Sequence, residues 1–497
     1  MSYESVIGLE VHVQLKTATK IFCGCPNRYG AEPNTQTCEV CLGYPGTLPV
    51  LNREAVAQAV RLSLALGADV RSRSVFARKN YFYADLPKGY QISQFDRPLA
   101  ENGSLQLREH GQPIRITRLH MEEDADKLLH ESPGGGSLEN ESLVDFNRCG
   151  TPLLEIVSEP DLRSPAQAAD YFQSLHQVLV YIGASDANLE QGNLRCDANV
   201  SIRPVGQEEL GTRTEIKNLN SFRHVAKAVE YEIQRQIGIV ESGGSVVQST
   251  LTWDADRGRT HLLRSKEEAQ DYRYFPEPDL PPLHLSESRV ETLRATLPEL
   301  PHPRRQRFQK EHALSAQDAD ILSQSPDLAD YFEEVARSGS FPSRAAANWI
   351  KTEILRGSKE LHLNWTPSKA EAPGRATMIS PARLVQLIDL VEQGTLSNSA
   401  GKTVLAEMWR SAKSPKDLAE QMSLIQERDP EQLQAWISKA IEDHPAQVEQ
   451  YHSGKTQLLG FLVGKVMSLS KGKADPKQVS QLLSESLKPT PSGDPAP

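Results

Sequence analysis

Four of the six cysteines in this 497-residue sequence crowd into one stretch, "CGCPNRYGAEPNTQTCEVC", as a C-x-C pair at Cys23 and Cys25 and a C-x2-C pair at Cys38 and Cys41. Pro, Gly and Asn between the pairs turn the backbone, so four thiolates can close tetrahedrally on one zinc ion. The bland alternative is four unliganded thiols on one loop. The opening "MSYESVIGLEVHVQL" has an acid at position 4 and no basic region or long apolar core, so it reads as no secretory signal. No stretch reaches the ~18 apolar residues of a membrane span. The expectation is a cytoplasmic protein without membrane contact, where clustered cysteines bind metal more readily than they pair as disulfides. A closed four-sulfur site is structural and leaves the activity open.

Other residues carry the chemistry. In "GLEVHVQL" strict alternation puts Leu9, Val11, Val13 and Leu15 on one face of a strand and Glu10, His12 and Gln14 on the other. Glu10 and His12 then stand about 6.6 Å apart at strand rise, where they can share a cation or simply hydrogen-bond on a wet face. "RLHMEEDADK" sets Glu122, Glu123 and Asp124 in a row, and the run alone does not choose among them. "TPLLEIVSEPDL" reads as a buried strand interrupted by Glu155, a carboxylate that is costly there unless paired or bound to metal. Several carboxylates and one histidine from separate strands suit a hard cation such as Mg²⁺, which commonly serves phosphoryl transfer. Arg78 and Lys79 lie beside three aromatics in "ARKNYFYADLPKGY", and Lys217 sits between Glu215 and Asn218. Lys79 and Lys217 are the candidate phosphate contacts. No G-x4-GK[ST] or G-x-G-x2-G loop is present, nor a G-x-S-x-G nucleophile elbow, so any ATP site is of an uncommon type. Cys149 and Cys196 fall outside the cluster and read as packed thiols.

The elements that must position these residues change along the chain. Up to about residue 290 the sequence alternates short strands with turns, with an occasional helix such as "SPAQAADYFQSLHQVLVYIGA" at 164–184. A Gly-rich "SPGGGSLEN" reads as a hairpin tip. Proline clusters "FPEPDLPPLHL" and "LPELPHPRR" mark a junction. Beyond it the pattern is helical: Ser380 caps "SPARLVQLIDLVEQG", Leu384, Leu387, Ile388 and Val391 share a face, and Gly394 ends it. "SPKDLAEQ", "DPEQLQAW" and "DPKQVSQLL" repeat the Ser/Asp-Pro opening. The expected class is α+β, with a mixed catalytic domain at 1–292 carrying the zinc loop at 23–41. A helical domain at 293–410, a small helical tail domain at 411–490 and a loose end at 491–497 follow. A formal charge of −10 argues against indiscriminate coating of nucleic acid and leaves a local basic patch possible. Lys465, Lys471, Lys473 and Lys477 form such a patch in the tail.

In order, "YESVIGLEVHVQL", "ARKNYFYADLPKGYQISQFDRPL", "RLHMEEDADK", "NRCGTPLLEIVSEPD", "LRCDANVSIRP", "EIKNLNSF" and "DYRYFPEPDL" resemble the B subunit of the aspartyl/glutamyl-tRNA(Asn/Gln) amidotransferases. "GKTQLLGFLVGKVMSLSKGKADPKQVSQLL" resembles that family's tail domain. The resemblance implies a cradle-like catalytic domain and a carbon–nitrogen ligase that takes glutamine as amido donor. It phosphorylates the side-chain carboxylate of misacylated Glu-tRNA(Gln) or Asp-tRNA(Asn) with ATP and lets ammonia displace the phosphate. It also implies two partners in a heterotrimer that binds misacylated tRNA. One is an amidase (the A subunit) that releases ammonia, and the other is a small C subunit. The implied Mg²⁺ ligands are Glu10, His12, Glu123 and Glu155. The alternation argument reaches three of these by itself; Glu123 rests on the resemblance alone. Some members of the family carry zinc where the four cysteines lie, and the family's tail domain grips tRNA. Two other classes fit parts of the sequence: a zinc-bearing RNA-binding factor without activity, and a self-sufficient metal-dependent hydrolase. Activity that depends on tRNA and on partner proteins separates both from the amidotransferase reading.

Overall fold

The alternating residues after Ser2 form β1 (Tyr3–Gln14), twelve residues long, with Leu9, Val11 and Val13 fully buried and Glu10, His12 and Gln14 turned to the other face. The computed structural model describes residues 2–109, 111, 113–129, 141–265, 271–363, 365, 376–426, 429–470 and 473–488. The Gly-rich segment at 132–140, Lys471 and the end at 491–497 lie outside them. Two compact units divide the chain, residues 1–305 and 306–497.

The first unit is built on a mixed sheet. Its further strands in chain order are β2 (Asp69–Val70), β3 (Arg73–Ser74), β4 (Phe76–Asn80), β5 (Tyr90–Gln94), β6 (Ala100–Gln106), β7 (Pro113–Glu123), β8 (Lys127–Leu129) and β9 (Leu143–Asp145). They continue with β10 (Pro152–Ser158), β11 (Leu194–Pro204), β12 (Thr214–Leu219), β13 (Ser249–Asp254), β14 (Arg259–Ser265), β15 (Phe275–Pro276) and β16 (Leu283–His284). Nine of them pair in the order β14-β13-β12-β11-β1-β10-β7-β6-β2, and only the β12–β13 neighbours run parallel. A second sheet, β15-β4-β5, carries Lys79 on β4, with Tyr81 just after β4 and Tyr272 a little before β15.

Helix α1 (Arg53–Ala65) starts at Asn52, whose side chain accepts from the N–H groups of Glu54 and Ala55. Helices α2 (Pro165–Tyr181) and α3 (Phe222–Glu241) start in the same way at Ser164 and Ser221. Tyr171 and Phe172 of α2 and Val225 and Val229 of α3 share one core with Leu9, Val11 and Val13. Burying such apolar side chains contributes roughly 1.5–3 kcal/mol each, so one face of the sheet is fixed as interior. The period of two then assigns the opposite face to polar side chains along every strand.

The second unit is helical among its described residues. One core runs from Phe308 to Ala419 and another from Leu433 to Leu487. The helix Pro381–Glu392 buries Leu384, Leu387 and Ile388, with Val391 packed at the edge of the core. Gly394 follows it at a φ of 67°, the left-handed turn that only glycine adopts without strain. Pro415–Gln421 lies beyond the expected boundary at 410 and packs Leu418 and Ala419 with the first helical core.

Candidate active site

The polar face of the large sheet is ordered by register. His12 pairs with Glu155, and Glu155 pairs with His120, so three side chains line up across β1, β10 and β7. Side chains directly opposite on neighbouring strands stand about 4.5–5.5 Å apart, and here they meet. His12 Nε2 lies 3.3 Å from Glu155 Oε2, and His120 Nε2 lies 3.0 Å from the same oxygen. Glu122, two residues beyond His120 on the same face of β7, brings Oε1 to 3.6 Å from His12 Nε2. Ligand atoms of His12, Glu122 and Glu155 all fall within 4.8 Å of one another.

Burial raises the cost of charge in this cluster, and the imidazoles answer it. Glu155 is buried, yet His120 and His12 hold it well below the ordinary carboxylate range. Desolvation works against His12⁺, but Glu155 and Glu122 win and lift it to about 9. Two carboxylates and an imidazole at this spacing form a donor set that one divalent cation can occupy by displacing the proton from His12.

Glu10 lies one step along β1 from His12 on the same face. Asn199 Nδ2 donates to its Oε1 at 2.8 Å, while burial and the nearby Glu155 and Glu215 raise its pKa. It borders the cluster without entering it. Glu123, a ligand by the resemblance, is not brought into the cluster. The pleat of β7 turns it away from Glu122's face, and there its carboxylate accepts from Lys88 Nζ at 2.5 Å and from the Ile92 N–H at 2.8 Å. Asp124, third in the acidic run, is held by Arg195, Arg148 and Gln14. Three consecutive acids thus serve three different places.

The cluster opens into a cavity of about 390 Å³ lined by Glu10, His12, His120, Glu155 and several cations. Lys79 is one of them. Its ammonium lies 4.8 Å from the centroid of Tyr272 and 5.9 Å from that of Tyr81, with no hydrogen-bond partner among the described residues. Glu122 and Glu155 outweigh its burial and keep it charged. Lys217 lines the cavity too, but it is engaged by Asp197 at 2.7 Å and Glu215 at 2.8 Å. Arg78 is turned to Glu277 and Asp279. Arg118 and Arg213 line the cavity with no hydrogen-bond or ion-pair partner among the described residues. Sequence reasoning missed both, along with His120, and left Glu122 as one of three acids it could not choose among. Arg118, His120 and Glu122 share one face of β7, and that alternation was the available signal.

The family-model comparison follows the two halves of the chain. Residues 5–291 match the model described as "GatB/GatE catalytic domain", and residues 330–487 match that described as "GatB domain". The B subunit of the aspartyl/glutamyl-tRNA(Asn/Gln) amidotransferase of Geobacter sulfurreducens is 52% identical over 491 residues, 98% of this chain and 100% of the relative. That of Halorhodospira halophila is 52% identical over 492 residues, 98% of this chain and 99% of the relative. The Synechocystis counterpart is 49% identical over 493 residues, 98% of each.

This chain belongs to the amidotransferase B-subunit family.

Within that family frame, a second cluster stands apart from the cavity. The sulfurs of Cys23, Cys25, Cys38 and Cys41 fall within 4.8 Å of one another, and none is in a disulfide. Hydrogen bonds from Cys23 and Cys38 and the ammonium of Lys20 pull Cys41 down to about 5, while burial pushes Cys25 up to about 11. Four converging sulfurs, one already favouring the thiolate, can hold a metal ion. The loop is tied to the segment before β10, for Cys149 Sγ donates to the Cys41 carbonyl at 2.8 Å and the Ile21 N–H to that of Gly150. Cys149 and Cys196 are both buried. No helix among the described residues is long and apolar enough to cross a membrane.

Proposed function

We propose that the cavity binds the phosphates of ATP together with Mg²⁺ and activates the side-chain carboxylate of misacylated Glu-tRNA(Gln) or Asp-tRNA(Asn) for amidation. The observation that carries this reading is one cavity lined both by His12 and Glu155 of the donor set and by Lys79, Arg118 and Arg213, cations with no hydrogen-bond or ion-pair partner among the described residues. A carboxylate is a poor electrophile. Its oxygen attacks the γ-phosphorus, the bond to ADP breaks, and an acyl phosphate results. Ammonia then attacks the acyl carbon, phosphate leaves with that oxygen, and the amide of Gln-tRNA(Gln) or Asn-tRNA(Asn) forms.

Mg²⁺, when bound, supplies charge neutralisation and alignment at the phosphate oxygens. His12, Glu122 and Glu155 would hold it, with Glu10 and its Asn199 hydrogen bond beside them. Glu122 takes the role that the resemblance gives to Glu123. Lys79, Arg118 and Arg213 meet the phosphates. Lys217 reaches them only by releasing Asp197 or Glu215, so its first role is to keep those carboxylates in place. This chemistry needs no protein nucleophile. Ammonia is supplied by the amidase (the A subunit), and a small C subunit completes a heterotrimer. Zn²⁺ on the four cysteines is structural, and the tail domain grips tRNA away from the acceptor end.

Oxygen labelling tests the sequence of bonds. With the assembled complex, ¹⁸O in the side-chain carboxylate of the misacylated tRNA should appear in the released phosphate. Unlabelled phosphate from a turnover that still yields amide would overturn the acyl-phosphate reading.

A further inference from the structure

Five aromatic rings form a continuous chain beside the cavity. Tyr83 meets Tyr81 and Tyr81 meets Tyr272, each with centroids 5.8 Å apart; Tyr272 then meets Tyr274 at 6.1 Å. These three contacts are edge-on. The last differs: Tyr274 and Phe95 are stacked, with centroids 4.2 Å apart and planes only 5° from parallel. Phe95 is 57% exposed although an apolar ring ordinarily gains by burial. Tyr274 covers one of its faces, so the other is open.

Both rings line the cavity that contains His12, Glu155 and Lys79. They are also held in place. Phe95 follows the end of β5 and Tyr274 precedes β15, and each of those strands pairs with β4. An ordered pair with one free ring face, lining the same cavity as Lys79, Arg118 and Arg213, presents a surface on which a third flat ring can stack.

The geometry points to Phe95 as the platform for the terminal purine of the unpaired 3′ end of the aminoacylated tRNA. The acid esterified to that nucleoside then reaches into the His12–Glu122–Glu155 cluster. This inference rests on the amidation reading and names the subsite that orients its RNA substrate. ATP carries a purine as well. The openness of Phe95, and the run of rings out to Tyr83 and the 81% exposed Phe82, favour a polymer end arriving from solvent with further unpaired bases.

Phe95→Ala, Phe95→Leu and Phe95→Trp in the assembled complex test it. Alanine and leucine should each raise the KM for misacylated tRNA about tenfold, with the KM for ATP and the glutaminase activity unchanged. Tryptophan should restore the wild-type KM, and leucine, which keeps apolar bulk without a ring plane, controls for folding. Independently, tRNA ending in 2-aminopurine should lose fluorescence on binding the wild-type complex and keep it with the leucine variant. Unchanged tRNA KM and quenching in Phe95→Leu would overturn the platform, and a rise in the KM for ATP alone would overturn its assignment to RNA. Failure of the amidation reading looks different, since Glu155→Gln would then retain full amide formation whatever Phe95 does.

Discussion

His12 on β1 and Glu155 on β10 are register partners, and their side chains meet at 3.3 Å on the polar face of the large sheet. Glu155 is therefore the hinge of the donor set: it touches both imidazoles and would give up one oxygen to a cation. Glu155→Gln keeps the shape and removes the charge. Amide formation by the complex should fall by at least about a hundredfold, a loss typical of removing one preorganised electrostatic group. Hydrolysis of glutamine by the partner amidase should survive, and assaying both activities on one preparation checks this.

Glu122 and Glu123 are adjacent in sequence and separate in function. Glu122→Gln should lower amide formation strongly and shift the Mg²⁺ concentration needed for half-maximal rate upward, with little change in thermal midpoint. Glu123→Gln breaks its buried pair with Lys88, and removing one partner of such a pair costs about 3–5 kcal/mol. The expected signature is a lower thermal midpoint with the Mg²⁺ requirement unchanged. Reversed phenotypes would put Glu123 in the donor set.

The four-sulfur loop predicts metal content. Cys41→Ser should remove most of one zinc per chain, measured by elemental analysis, and lower the thermal midpoint at the same time. Since the loop lies against Cys149 and Gly150 rather than among the cavity's lining residues, the KM for ATP should stay near the wild-type value wherever the variant remains folded.

Much of this was legible before the fold. A period of two in β1 exposed the shared face of Glu10 and His12, and the apolar neighbours of Glu155 made its charge conspicuous. The choice between Glu122 and Glu123 was not legible, because it depends on the phase of β7 relative to β10, which the Glu155–His120 register sets. Arg118 shares the polar face of β7, but its place on the cavity, like that of Arg213 just before β12, and its lack of a partner among the described residues emerge only from the fold. The Phe95–Tyr274 stack joins segments far apart in sequence through β4, and no local pattern announces it.

The tail offers the last prediction. Its core closes on itself between Leu433 and Leu487, so charges on its surface can change without disturbing the catalytic sheet. Lys465 stands 5.1 Å from the centroid of Phe461, and Lys473 and Lys477 flank the start of the helix Pro476–Ser486. If these lysines contact tRNA phosphates, they supply affinity without reading bases, and each released counterion steepens the salt dependence. Replacing all three with alanine should flatten the slope of log affinity against log salt by about two to three. Affinity should weaken at low salt, while the maximal rate of amidation at saturating tRNA stays close to wild type. Titrations of both complexes with the same tRNA at several salt concentrations decide the matter: parallel lines would mean that the lysines meet water and not phosphate.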